Sequence, residues 1–410
     1  MTLSSLLRAG GTAAAFMMLA VPAAAQPSFN VSIGRAFNSF SEGSAAESRQ
    51  STAAQVELEH RAAGQRLRLF YTLDGGSFTT PGDWTYYLHH AGATWRFGPA
   101  QEAGKPPVFA VFAGGTLSWR SNGTSWSAAD YRALGLFANI QRHPSPTSTL
   151  RAGYRFDLRD FSDFSQLDQQ EHDAFASALV SFPSRTTLIG EVHVGAKNYR
   201  GGLVTVDVPM TTPVETTSAG GRGRMGMGMG PGLRWTPTYT ERSLGALSGQ
   251  VMILGRIAQS FADRTGGTLQ FVRRSTFGDL PTAIVSTPAL FFEDGVYDDP
   301  FASQANVLRA TLKHVRPGGL EVEAQGIWMG KDYRGTRALD LEGVELASGE
   351  LREDRIWRAG GGISVPLFGS QTGPVELSLD GDYAYTRHRS NDLFYNYRSH
   401  SVGVGFTVSY

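Results

Sequence analysis

Alternation of apolar and polar residues along short segments is the feature of this chain that most restricts its fold. Between residues 150 and 159, Leu150, Tyr154 and Phe156 alternate with charged residues. Because successive side chains of a β-strand point to opposite faces, this period of two predicts one apolar face and one polar face. Such segments recur along most of the chain, and no helical periodicity of comparable length interrupts them. They predict about sixteen strands, or fourteen if two weak segments fail, near residues 29–40, 50–61, 65–77, 83–97, 107–120, 129–142, 148–161, 171–183, 186–199, 243–258, 266–277, 305–316, 320–333, 354–367, 373–388 and 397–410.

The connections between these segments alternate between short turns and longer polar loops. One end has turns such as 62–64 and 183–185, whereas the other end has long segments at 201–242, 278–304 and 335–353. Transmembrane barrels show this inequality, with short periplasmic turns and long external loops. The pattern therefore predicts an all-β fold, a transmembrane antiparallel up-and-down β-barrel with lipid outside and water inside.

The amino terminus predicts an export signal. Arg8 precedes an apolar stretch at 10–21, and the small residues at 23–25 resemble a cleavage site, so we expect a signal peptide at 1–25 and a barrel at 26–410. The chain has no cysteine, which excludes disulfides and thiolate metal sites. With 37 basic and 37 acidic residues, its net charge of zero gives no reason to expect nucleic acid as a partner. No cofactor is expected.

The carboxyl terminus resembles the signal by which bacterial outer-membrane barrels are recognised by their assembly machinery. The residues that carry the resemblance are Gly405, Phe406, Val408 and the terminal Tyr410. Gly403 departs from it, because that signal usually has a polar residue there. The resemblance to porin-like proteins implies a location in the bacterial outer membrane, with its lipids and assembly machinery as partners.

The last hairpin resembles barrels of the surface lipoprotein assembly modifier group. The similarity covers about thirty residues, in which a Ser-Asn loop with aromatic residues at 389–400 precedes the final strand. Those proteins carry a periplasmic helical-repeat domain ahead of the barrel. Here the first predicted strand begins soon after Gln26, which counts against lipoprotein translocation.

Charged residues on the polar strand faces are the candidates for solute selectivity. An arginine at the bilayer midplane costs roughly 2–4 kcal/mol, so charges in spanning strands are expected to face the lumen. These charges either pair across strands and fill a narrow lumen, or form a transverse field that orients permeating solutes. The candidates form a basic wall and an acidic wall: Arg151, Arg155, Arg159, Glu376, Asp380 and Asp382.

The hairpin of the second and third predicted strands has a register that would satisfy both faces. If it folds about residues 62–63, Glu59 lies opposite Arg66 and Glu57 opposite Arg68. Opposite charges would then pair on the lumenal face, as cross-strand neighbours do in antiparallel sheets.

Two external loops carry further candidates. The loop at 278–304 combines apolar residues with carboxylates, and either folds inward as a constriction or projects from the rim. Its carboxylates are Glu293, Asp294, Asp298 and Asp299. The longest loop contains alternate methionines, which are soft ligands for cuprous copper, although we favour a loop without metal. These methionines are Met225, Met227 and Met229.

Catalytic patterns are incomplete. His400 and Ser401 are neighbours on a strand and face opposite sides, so they cannot form a dyad. Ser121 in a Ser-Asn-Gly element resembles outer-membrane phospholipases but lacks the preceding histidine. We therefore expect no enzyme, and favour a water-filled, porin-like channel for small hydrophilic solutes. A translocation or assembly barrel and a structural or adhesive barrel stay open, an outer-membrane hydrolase is less favoured, and the oligomeric state is undetermined.

Overall fold

The computed structural model is a closed antiparallel β-barrel of sixteen strands, which confirms the predicted fold class. Residues 1–25, the expected signal peptide, lie outside the part of the chain that the structure describes. The described residues are 26–41, 47–62, 66–78, 85–98, 108–123, 127, 130–163, 168–199, 203–213, 233–243, 247–278, 300–340, 345–368 and 375–410.

All sixteen predicted segments form barrel strands, with ends that differ by a few residues. The barrel strands are β1 (Gln26–Ser41), β2 (Glu47–Ala62), β3 (Leu67–Phe78), β4 (Thr85–Phe97), β5 (Phe109–Asn122), β6 (Tyr131–Ser145), β7 (Ser148–Phe161), β8 (Gln169–Ser181), β9 (Thr186–Tyr199), β12 (Ser248–Ala262), β13 (Thr265–Gly278), β14 (Ser303–Val315), β15 (Glu321–Arg337), β16 (Leu351–Phe368), β17 (Glu376–Ser390) and β18 (Tyr397–Ser409).

A separate hairpin lies within the segment predicted as a long loop. It consists of β10 (Leu203–Pro213) and β11 (Leu233–Ser243), which pair with each other and not with the barrel. The barrel sheet instead passes from β9 directly to β12. This hairpin was not predicted from the sequence, because residues 201–242 were interpreted as one polar loop. The three methionines of this segment lie outside the described residues.

The first and last strands close the barrel. In the β1–β18 register, Val31 lies opposite Val408 and Ile33 opposite Phe406. Closure gives both edge strands a hydrogen-bonding partner, which lipid cannot supply. Tyr410 follows β18 at the end with the short turns and is 47% exposed. The aromatic terminus is therefore accessible, and its role as an assembly signal remains a prediction.

Strand register places most large exposed hydrophobic side chains on the outer face. Leu150 on β7, Val192 on β9 and Ile253 on β12 belong to one continuous outer surface of paired positions, and all are exposed. Trp95 marks the short-turn end of this surface and Trp119 the long-loop end. An apolar belt with aromatic residues near both ends is typical of a barrel in contact with lipid.

Several arginines of the strands lie on the outer face, against the rule that charges face the lumen, and Arg35 and Arg273 are two of them. Arg35 lies opposite Val404 on the outer face, with its guanidinium 5.5 Å from the centre of the Phe37 ring. Arg273 lies opposite Asn306 and donates to its Oδ1 at 2.9 Å. Their long side chains can lie along the barrel surface with the charged group directed to a polar partner.

The expected register of the β2–β3 hairpin is wrong, although one of its ion pairs still forms. Leu58 lies opposite Tyr71, and Glu59 lies opposite Phe70 instead of Arg66. Ala62 lies opposite Leu67, so the centre of the pairing lies two residues further along the chain than predicted, and each β2 residue meets a partner four residues later on β3. Arg68 still reaches Glu59 diagonally, with an Nη2–Oε2 distance of 2.7 Å.

The part of the chain that the structure describes contains no helix with the length and apolar character needed to span a bilayer.

The alternation of faces can be tested with two arginines introduced one residue apart. Ile253→Arg points into the apolar belt and should lower the free energy of unfolding by roughly 2–4 kcal/mol. Leu254→Arg points into the lumen, where its register partner is Glu191, and should change stability little. Urea titration of both variants in lipid vesicles provides the comparison. Equal losses would contradict the assignment of faces.

Candidate functional site

The predicted basic wall lies on the inner face of β7. Arg151, Arg155 and Arg159 alternate with the outer-face residues Leu150 and Tyr154. The alternation that defines the strand therefore also directs the three guanidinium groups inward. The structure places them at successive heights along one strand.

Arg155 and Arg151 of this wall have different environments. Arg155 forms a two-point ion pair with Asp157, with an Nε–Oδ2 distance of 2.5 Å and an Nη2–Oδ1 distance of 2.9 Å. Arg151 donates to Asn139 Oδ1 at 3.1 Å and stacks 5.0 Å from the Phe175 ring centre. Among the described residues, no carboxylate lies within ion-pair distance of Arg151. The positive charge of Arg151 is therefore less neutralised than that of Arg155.

Neighbouring strands add acidic groups that the sequence analysis did not select. A cavity of about 450 Å³ lies against this inner wall, and its lining includes Arg151, Arg155, Asp173, Glu191 and His193. His193 bridges the two carboxylates, because its Nδ1 lies 2.9 Å from Asp173 and its Nε2 lies 3.5 Å from Glu191. The predicted basic wall is thus part of a mixed-charge surface. The alternation of faces along the predicted strands 171–183 and 186–199 places Asp173, Glu191 and His193 on the inner face, and could have identified them.

A histidine and a serine also meet on the inner face. His90 on β4 lies opposite Ser118 on β5, and Nδ1 and Oγ are 2.6 Å apart. A hydrolytic triad needs a third group that orients the imidazole through its other nitrogen. Among the described residues, no carboxylate or amide is hydrogen-bonded to His90 Nε2. The pair therefore contributes polarity to the cavity wall without a complete catalytic set.

The predicted acidic wall lies on the inner face of β17, but its members differ. Asp380 accepts hydrogen bonds from three hydroxyl groups, at 2.6 Å from Ser364, 2.7 Å from Thr407 and 3.2 Å from Ser378. These bonds fix Asp380 as a link between three adjacent strands. Asp382 is exposed to the lumen.

Asp382 and Glu376 supply the accessible charge of the acidic wall. Gly403 lies opposite Asp382 in register, and a side chain there would collide with the carboxylate. Glu376 lies opposite Ser409 and is also exposed. Neither carboxylate has an ion-pair partner among the described residues. Their negative charge is therefore available to the water of the lumen.

The two walls face each other across the barrel. Counting hydrogen-bonded neighbours around the ring, β17 is the eighth strand from β7 in either direction. In a ring of sixteen, that separation is the largest possible. The arginines of β7 and the carboxylates of β17 are therefore on opposite sides of the lumen.

A short segment enters the barrel at the long-loop end. Residues Pro300–Ala302 form a 3₁₀ turn in which Phe301 is only 3% exposed. The Phe301 ring packs over Gly195 of β9, where an added Cβ would lie 3.0 Å from the ring. The Lys197 ammonium lies 5.7 Å from the centre of the same ring. The described end of the 278–304 loop thus folds inward, whereas its four carboxylates lie outside the described residues.

A buried ion pair lies on β16 at the same end of the barrel. Arg352 and Asp354 form two hydrogen bonds of 3.0 and 2.6 Å, and their side chains are only 7% and 1% exposed. The guanidinium lies 3.3 Å from the centre of the Tyr395 ring and 4.5 Å from that of Tyr333. Burial raises the pKa of Tyr395, so this ring is a neutral phenol. The cluster joins the 391–396 loop to the barrel wall.

The part of the chain that the structure describes was searched for groups of side chains that could hold a metal ion. Its histidine, aspartate and glutamate side chains form no such group of three. The candidate copper ligands, Met225, Met227 and Met229, and the loop carboxylates, Glu293, Asp294, Asp298 and Asp299, lie outside this part of the chain.

The buried pair at the mouth can be tested against an exposed pair. Asp354→Asn leaves Arg352 buried without its anion and should lower the free energy of unfolding by about 3–5 kcal/mol. The control, Asp263→Asn, removes a 2.6 Å pair with Arg185 in which both side chains are more than half exposed, and should cost under about 1 kcal/mol. Guanidinium titration in detergent measures both. Similar losses for the two variants would contradict a stabilising role for the mouth cluster.

Comparison with known proteins finds similar chains among solved structures, at low sequence identity. No family model and no curated protein matches this chain. Among solved structures, the chain is similar to OccK7 (OpdD) of Pseudomonas aeruginosa, at 9% identity and a TM-score of 0.48, covering 95% of this chain and 99% of that one. It is also similar to OccAB1 of Acinetobacter baumannii, at 10% identity and a TM-score of 0.48, covering 94% and 96%.

A third similar structure is the outer membrane protein OprD of Pseudomonas aeruginosa. It matches at 9% identity and a TM-score of 0.44, and the match covers 94% of both chains.

Proposed function

We propose that this protein is a channel of the bacterial outer membrane that passes small hydrophilic solutes through its lumen. The apolar outer belt and the charged inner face support this function, because they match lipid outside and water inside. The accessible aromatic terminus at Tyr410 supports recognition by outer-membrane assembly machinery. The solved barrels that the chain is similar to include an outer membrane protein.

The opposition of the two charged walls is the observation that carries the proposal. A solute moving along the lumen passes between Arg151 on β7 and Asp382 on β17, which lie eight strands apart. Unlike charges on opposite sides of a channel create a transverse field, which orients dipolar solutes and water. The inward segment at Pro300–Ala302 narrows the mouth above this region and supports selection by size.

Arg151 is the guanidinium best placed to meet a solute. Its contacts with Asn139 and Phe175 are uncharged, so a passing anionic group can supply the missing counter-charge. Arg155 is neutralised by Asp157 and should contribute less. Asp380 is held by hydroxyl groups, which leaves Asp382 and Glu376 as the effective carboxylates.

Passage without catalysis is the reading that these contacts favour. The hydrogen bond between His90 and Ser118 has no third member, so it provides no activated nucleophile. An assembly barrel or an adhesive barrel would act through a partner or through the β10–β11 hairpin. Neither activity requires charges that oppose each other across the lumen.

Pore formation is the first measurement. The full chain reconstituted in a planar bilayer should give discrete conductance steps in potassium chloride. Heat-unfolded protein at the same concentration serves as the control. The absence of steps from folded protein would exclude an open channel.

Charge removal on the two walls should shift ion preference in opposite directions. Arg151→Gln should move the reversal potential in a salt gradient toward cation selectivity, since the lumen loses a positive charge. Asp382→Asn should move it toward anion selectivity, since the lumen loses a negative charge. Arg132→Gln, on the outer face of β6, is the matched control and should have no effect. Shifts of the same sign for both lumenal variants would contradict opposed walls.

A further inference from the structure

Four arginines cluster on the outer face of β16, β17 and β18 at the long-loop end. Arg355, Arg387, Arg389 and Arg398 all occupy outer-face positions, in register with outer residues such as Trp357. We call this group the arginine patch. It lies on the lipid side of the barrel and takes no part in the solute pathway.

Cross-strand register brings like charges together within the patch. Arg355 lies opposite Arg389, and Arg387 lies opposite Arg398. Like charges directly opposite each other destabilise a sheet, whereas opposite charges stabilise it. Two such pairs lie on three adjacent strands, so these positions concentrate positive charge on one part of the outer face.

Two carboxylates compensate the edge of the patch at Arg355. Arg355 lies 2.9 Å from Asp332 and 3.5 Å from Glu353. Arg387 and Arg389 have no carboxylate within ion-pair distance among the described residues. The positive charge near the centre of the patch therefore exceeds the negative charge around it.

The height of the patch matches the outer boundary of the apolar belt. On β17, the outer positions run from Leu377 through Leu379, Tyr383 and Tyr385 to Arg387. Ten residues at about 3.4 Å per residue, tilted by about 40°, rise roughly 26 Å, against a belt of about 25 Å. Arg387 thus lies where hydrocarbon gives way to headgroups.

Aromatic residues just below the patch have the composition of a membrane interface. Tyr385 lies opposite His400, and the Tyr383 hydroxyl is 2.9 Å from His400 Nδ1. Trp357 on β16 is 56% exposed beside them. Tyrosine and tryptophan favour this depth because their rings are apolar and their polar atoms reach water.

We infer that the arginine patch binds the phosphate groups of a phosphorylated lipid in the outer leaflet. Guanidinium groups bind phosphate oxygens in a two-point geometry, and several arginines at one site suit a headgroup with more than one phosphate. The acyl chains would lie below, along the exposed Tyr383 and Val404. This inference rests on the proposed outer-membrane location and is independent of whether the lumen conducts.

Lipid binding by the full barrel in detergent micelles tests the inference. Native mass spectrometry at increasing lipid concentration compares diphosphorylated lipid A with the same lipid after removal of both phosphates. The wild-type barrel should bind the diphosphorylated form at least about tenfold more tightly, a difference of roughly 1.4 kcal/mol. The double variant Arg387→Gln, Arg389→Gln should lose this preference.

Matched controls separate the patch from general charge and from folding. Arg132→Gln removes an outer-face arginine of β6, which lies at the same long-loop end of the barrel and opposite Asp160. This variant should keep the preference for diphosphorylated lipid A. In neutral detergent without lipid, the double variant should melt no lower than wild type, because like-charge repulsion is removed. If it unfolds, Arg398→Gln alone provides the test.

Three results would overturn the inference. Equal binding of the two lipids by wild type would remove phosphate as the recognised group, and an unchanged preference in the folded double variant would remove the patch. Displacement of bound lipid A by millimolar inorganic phosphate alone would show a simple anion site instead of a lipid site. Conductance measured on the same preparations distinguishes each of these failures from failure of the channel function.

Discussion

Closure of the sheet is the constraint on which the rest of this structure depends. In hydrocarbon, every backbone amide and carbonyl needs a partner within the protein, and only a ring of strands leaves no edge. The pairing of β1 with β18 provides that last partner. Once the ring is closed, each strand has one face toward lipid and one toward the lumen. Alternate side chains of a strand therefore contact lipid and water.

The separation of a lipid-facing side from a lumenal side explains why spanning strands tolerate charged residues and on which face these residues lie. Arg151 and Asp382 can remain charged because water in the lumen solvates them, whereas the same groups on the outer face would be costly. The arginine patch satisfies the same rule by its height, since it lies at the end of the apolar belt. The protein therefore uses charge on both faces, at depths where a polar partner is present.

Alternation alone predicted most of the fold, because a period of two is a local property that any strand displays. The arginines of β7 were assigned to the lumen from their neighbours Leu150 and Tyr154, without knowledge of the other strands. Hairpin register was less predictable. The shift that places Leu58 opposite Tyr71 depends on a turn whose length the apolar pattern does not define. The β10–β11 hairpin was missed for a related reason, since its strands lie in a segment read as one polar loop.

The sequence by itself determined the strand class, the faces and the destination suggested by the aromatic terminus, since these depend on neighbouring residues. Only the tertiary structure decided which distant residues meet. In the folded barrel, His193 contacts Asp173 and Glu191, and Phe301 packs against Gly195 at the mouth. Strand β7 lies eight strands from β17. The tertiary structure also aligned Arg387 with Arg398 on the outer face. Such proximities arise from ring closure and from register between strands, and neither is encoded in the period of a single strand.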